Sequence, residues 1–86
     1  MQIVQNWALP DCDRYFGPIL EREGTFQIER LHAAVAYCPP DRRQVAVAGG
    51  AHVGIWTKEL VKLGFTEIHS FEPAGDTWEC LQHNTK

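Results

Sequence analysis

Cysteine is scarce in this sequence. The chain has three in 86 residues, at positions 12, 38 and 80, with no Cys-x-x-Cys pair. An odd, widely spaced set argues against a disulfide framework and against a structural zinc site. Cys80 and His83 stand three residues apart on an expected helix and could share one metal, but no second nearby pair completes a tetrahedral set. Free buried or half-buried thiols are the simpler reading, and no metal site is expected. Positive charge is also short: eight Lys and Arg against eleven Asp and Glu leave a net charge of −3. The basic residues are scattered apart from Arg42-Arg43, expected to be a solvated loop, so nothing resembles a nucleic-acid footprint. No apolar run approaches the ~18 residues of a membrane span. The opening Met1 to Trp7 lacks the charged and apolar regions of a signal peptide. A cytoplasmic location is the default expectation, with neither nucleic acid nor membrane as partner.

Catalytic groupings are lacking too. No Ser-His-Asp or Cys-His arrangement can be assembled, so no catalytic residue is assigned. No Gly-Lys-Ser/Thr follows the glycines, which argues against a phosphate loop, and Gly-x-Gly-x-x-Gly is absent, which argues against a nicotinamide dinucleotide. What is present is an ordinary soluble composition, 44% apolar and 22% charged. Eighty-six residues allow one small domain. Folding at this length buries only about 60–65% of the unfolded surface, so the core is marginal without help.

Along the chain, Trp7 to Asp11 reads as an extended lead-in, with Asp11 as an N-cap and Asp13 in the first turn. A short helix over 12–21 would bury Tyr15, Phe16, Ile19 and Leu20. Pro18 weakens its middle, and a start at Gly17 is the alternative. Thr25 is expected to cap a helix over 26–37 with Ile28, Leu31, Val35 and Cys38 on its apolar stripe, stopped by Pro39-Pro40. His32 beside that stripe is expected at the surface. These helices, residues 1–43, would cover one face of a sheet formed by residues 44–86.

That second part carries the organising stretch. Residues 44–48 are short, β-branched and apolar without alternation, which predicts a strand covered on both faces. Gly49 and Gly50 follow, then a helix over 54–63 burying Ile55, Trp56, Leu60 and Leu63, with Gly64 as its C-cap. A second strand over 66–71 runs into Glu72 and Pro73. Asp76 to Glu79 reads as a capping box opening a last helix to about 83, with Trp78 and Leu81 on its packing side. Strand, glycine turn, helix, strand, acid is the plan of a nucleotide-binding βαβ unit, and Glu72 lies 22 residues beyond Gly50, near the ~20 at which a carboxylate reaches a ribose. On local features alone, a plain turn at Gly49-Gly50 and a solvated Glu72 remain the bland alternative.

Ala48 to Gly54 resembles the first motif of S-adenosylmethionine-dependent methyltransferases in the form typical of the FkbM family, Asp-x-Gly-Ala-His/Asn-x-Gly. Phe71-Glu72-Pro73 is similar to that family's next strand end, and Leu81-Gln82-His83-Asn84 to the end of the helix after it. Each motif alone is weak; their order and spacing, over residues 44–84, are more specific. The resemblance implies an α/β, partial Rossmann-like methyltransferase fold: two leading helices, then β-α-β-α with two parallel strands. It implies S-adenosylmethionine as cofactor, with Gly50, Ala51, His52 and Gly54 lining its site and Glu72 accepting both ribose hydroxyls. It also implies a chain of roughly twice this length. Ala48 departs from the pattern: the family has an acid there, which the resemblance implies helps hold the amino end of the methionine part.

Two readings follow. The chain is the truncated cofactor-binding region of an FkbM-like methyltransferase, inactive alone, or a non-enzymatic oligomeric module on a relic βαβ scaffold. Two parallel strands with free edges are poorly stable alone, so a homo-oligomer or a second polypeptide completing the sheet is expected.

Overall fold

The computed structural model describes residues 1–86. It opens on an element the sequence reading did not anticipate. Strands β1 (Gln2–Val4) and β2 (Trp7–Leu9) form an antiparallel hairpin, where only an extended lead-in was expected. The turn residues Gln5 and Asn6 both take positive φ, 51° and 68°, the pairing a two-residue hairpin turn requires. Asparagine tolerates that region; glutamine does so less readily, which hides the turn in the sequence.

Helix α1 spans Phe16–Glu23, closer to the alternative start at Gly17 than to residue 12. Pro18 therefore falls in the first turn, where a missing N–H costs nothing. The capping side chain is Asp13: its carboxylate accepts the N–H groups of Phe16 at 3.1 Å and Gly17 at 2.9 Å. Asp11, expected in that role, instead meets the Met1 amino group at 3.1 Å. Helix α2 is Ile28–Val35, shorter than expected, and Gln27 in the left-handed region precedes it in place of a Thr25 cap. A single 3₁₀ turn, Pro40–Arg42, leads on. Arg43 is not a solvated residue: its guanidinium donates to the Cys38 and Leu63 carbonyls, both at 2.9 Å, and ties the end of α2 to the end of the next helix.

Strands β3 (Val45–Gly49) and β4 (Glu67–Phe71) pair in parallel, Val45 opposite Glu67 through Gly49 opposite Phe71, with α3 (Ile55–Lys62) between them in sequence. Gly64 follows α3 with φ 100°, as its C-cap role requires. Helix α4 is Gly75–Asn84. Its capping box does not form, because the chain turns helical at Gly75 and Asp76 accepts from the adjacent Thr77 and from the Cys12 thiol, with no bond to Glu79. Leu81 is buried, whereas Trp78 is 45% exposed and lies off the packing face.

The order is thus hairpin, two helices, β-α-β-α, an α/β arrangement. Two cores hold it. One joins the hairpin to the glycine turn and α4 through Ala8, Leu9, Leu20, Val53, Ile55 and Cys80. The other seats α2 on α3 through Leu31, Val35 and Leu60, with Ala46 and Ile68 of the sheet against it. Coverage of β3 on both faces, expected from its unbroken apolar run, is not found. Val45 and Val47 are 56% and 69% exposed, and Phe71 of β4 is 59% exposed beside them. Helices pack on one sheet face only. No helix is long and apolar enough to cross a membrane.

Candidate functional site

The turn after β3 is built by backbone that few side chains accept. Gly50 has φ 65°, and a Cβ there or at Gly49 would meet nothing within 4 Å, so the turn has an open side. Ala51 extends the strand ladder by donating its N–H to the Phe71 carbonyl at 2.9 Å. His52 also has positive φ, 54°, a conformation histidine adopts more readily than most residues.

Glu72 holds this turn. One carboxylate oxygen accepts the His52 N–H at 2.8 Å and the other accepts the Ala74 N–H at 3.2 Å. A strand-end acid thereby binds the turn of the neighbouring strand and its own following turn. A carboxylate has about four acceptor sites, so these two bonds leave lone pairs for further donors. The charged acceptor makes each N–H bond stronger than a neutral one.

The His52 ring does not point to solvent as a free base. It stacks on Phe16 with centroids 4.2 Å apart and planes at 30°. Its Nδ1 is buried without a hydrogen-bond partner. Burial holds its pKa below the ordinary 6.5, against the opposing pull of the Glu72 and Asp13 carboxylates. The neutral ring thus acts as a packing surface between the turn and α1.

Gly54 behaves differently from the other predicted site residues. Its φ is 97°, and an added Cβ would come within 2.9 Å of Leu81 and 3.0 Å of Thr85. Gly54 therefore lets α4 approach the start of α3, and that helix end is packed, with Val53 and Ile55 buried on either side. Gly50, Ala51, His52 and Glu72 are brought together around one turn, whereas Gly54 sits at the packed end below it.

Asn84 is the residue whose role the sequence reading missed. Its amide accepts the Ala8 N–H at 2.8 Å and donates to the Ala8 carbonyl at 3.0 Å and the Val53 carbonyl at 2.8 Å. Ala8 faces Ile3 across the hairpin, one step from the turn-closing pair, where the alternation of an antiparallel ladder directs both peptide groups outward. Asn84 satisfies them as a third strand would, and its link to Val53 positions the glycine turn. The signal available was the Leu-x-x-Asn ending at 81–84, which marks Asn84 without revealing that its amide is buried.

A cavity of about 580 Å³ opens beside the turn, between α2 and β3, with Phe16, Phe26, Leu31, Val35, Trp56 and His52 among its walls. Gly50 and Ala51 also line it, whereas Glu72 does not. No group of three or more His, Cys, Asp or Glu side chains converges on a point that could hold a metal ion. Compared with protein-family models, curated proteins and solved structures, the chain matches none.

Proposed function

We propose that this chain is the cofactor-binding half of an FkbM-like, S-adenosylmethionine-dependent methyltransferase domain, inactive in methyl transfer until further strands complete its sheet. The observation that carries the reading is the Glu72 carboxylate, placed at the end of β4 and bonded at 2.8 Å to the His52 N–H of the glycine turn ending β3. Parallel strands joined by a helix, with turn and acid at their C-terminal ends, form the crevice in which open α/β sheets bind ligands.

The residues present fit an adenosyl group in part. Glu72 keeps lone pairs for ribose hydroxyls, and Gly49 and Gly50 leave the turn's outer side clear of Cβ atoms. Ala51 and His52 offer the backbone that would border the ligand. The fit fails at Ala48, which cannot pair with a methionine ammonium, so affinity for the amino-acid end is expected to be weak. When bound, the cofactor would supply the electrophilic sulfonium methyl; positioning of the acceptor would fall to residues outside this chain.

A second reading, a non-enzymatic interaction module on the same scaffold, is favoured by the two Glu72 bonds to backbone. They give the acid a structural task that needs no ligand. Titration of S-adenosylhomocysteine by calorimetry into the wild type and Glu72→Gln separates the two. Saturable binding weakened by Glu72→Gln supports the first; no binding at millimolar ligand supports the second.

A further inference from the structure

The two edges of the parallel sheet differ. The Gln44 carbonyl accepts the N–H groups of Thr66 at 3.1 Å and Glu67 at 2.9 Å. With Val45 opposite Glu67, the alternation of a parallel ladder then turns Ala46 and Ala48 toward β4 and turns the peptide groups of Val45, Val47 and Gly49 to the outer edge. Each strand has one neighbour only, so those outer N–H and C=O groups have no strand partner. Strand β4 is guarded: Glu67 and His69 are exposed on its open face and paired at 2.8 Å, and a charged side chain on an edge strand discourages further strand addition. The edge of β3, Val-Ala-Val-Ala-Gly, carries no charge and no proline.

The cavity lies along this unguarded edge. Residues 46–52 form one wall, α2 and its end form another through Leu31, Ala34, Val35 and Cys38, and no β4 residue takes part. None of its lining residues is Asp, Glu, Lys or Arg. The apolar side of α2 thus overhangs a row of unpaired peptide groups, with unfilled space between them. Main-chain complementarity calls for an extended segment, and the absence of charge calls for uncharged side chains on the face beneath α2. A second copy of β3 fits poorly, because its side chains on that face are Ala46 and Ala48, too small to occupy about 580 Å³.

We infer that the outer edge of β3 is a strand-acceptor site, taking from another polypeptide an uncharged extended segment with bulky apolar side chains at alternate positions, which pack under α2. The groove adjoins the Glu72 turn, since Gly50, Ala51 and His52 also line it, but the inference needs no adenosyl ligand and shares with the proposed function only the incompleteness of the sheet. Strand addition there uses the hydrogen-bond capacity of Val45, Val47 and Gly49 and fills the space beneath Leu31 and Val35.

The test is an amide NMR titration of the full chain, without any adenosyl ligand. The probe is a capped seven-residue peptide alternating threonine with isoleucine and phenylalanine. The expected result is saturable shifts centred on the Val45, Val47 and Gly49 amides and slowed hydrogen exchange at Val47. A peptide with proline at its centre should lose the effect. Ala34→Glu, at an exposed position of α2, should keep the dispersed spectrum of the folded chain and weaken binding at least about tenfold by placing an unpaired charge over the groove. No shifts at millimolar peptide, equal effects from the proline peptide, or shifts confined to Ile68 and Ser70 overturn the inference. Concentration-dependent dimerisation that changes the same β3 amides without peptide also overturns it, in favour of a second copy.

Discussion

Replacing Asn84 with alanine removes three hydrogen bonds at once, and the environment sets the cost. Asn84 is 7% exposed, and both Ala8 and Val53 are fully buried. The substitution leaves the Ala8 N–H and the Ala8 and Val53 carbonyls without partners at sites water reaches poorly. An unmet buried group costs about 1–3 kcal/mol. Allowing for partial relaxation and entry of one water, the loss should be roughly 3–5 kcal/mol. An 86-residue domain has a total stability of about 4–13 kcal/mol, so Asn84→Ala should remove a large share of it or unfold the chain. Urea unfolding followed by tryptophan fluorescence and far-ultraviolet circular dichroism measures the effect. Asn84→Asp sharpens the test: it keeps an acceptor for the Ala8 N–H but opposes a carboxylate to two carbonyls, so it should be at least as damaging at neutral pH and recover in acid. A loss under about 1 kcal/mol for Asn84→Ala would refute the reasoning, because three buried partners cannot be left unmet so cheaply.

Other expectations follow from the same geometry. Gly54→Ala should destabilise by roughly 2–4 kcal/mol, since it combines a φ of 97° with a Cβ 2.9 Å from Leu81; a change under about 0.5 kcal/mol in urea unfolding contradicts this. His52 has its folded-state pKa below 6.5, so the unfolded chain takes up the proton first as pH falls through 6.5. Its contribution to stability is therefore present above 6.5 and declines below it until the folded pKa is passed; His52→Asn, which tolerates positive φ, should flatten the stability profile below 6.5. Among the thiols, Cys12 is exposed, whereas Cys80 is 1% exposed and burial pushes its pKa up from 9.0. Iodoacetamide should label Cys12 in the native protein and reach Cys80 only on unfolding, as read by peptide mass. Asp13→Ala should cost about 1 kcal/mol through loss of the α1 cap.

The β-α-β-α order was legible because each element carries a local signal: a β-branched run at 45–49, glycines at 50 and 64, helical spacing through Leu60, and proline after Glu72. The hairpin was not. Its strands are three residues each, and its turn rests on Gln5 and Asn6 rather than on glycine. Caps were misplaced where several acids or hydroxyls stand close together, as with Asp11 and Asp13, since only the three-dimensional course of the chain decides which one meets the free N–H groups. The unbroken apolarity of β3 pointed to two covered faces, but a strand beside an unfilled groove and an open face has the same composition as a buried one. For the site, the approach of Glu72 to the glycine turn was readable from spacing. The dual hold of Glu72 on backbone and the burial of Gly54 were not: the first depends on the course of two turns and the second on where α4 returns.

The cofactor reading is tested most directly by an assigned two-dimensional amide NMR spectrum of this chain recorded with increasing S-adenosylhomocysteine. The account predicts saturable shifts at Gly49, Gly50, Ala51 and Glu72, with the Ala74 amide following as Glu72 gains ribose partners. A well-dispersed spectrum in which those amides stay unmoved at millimolar ligand would contradict it.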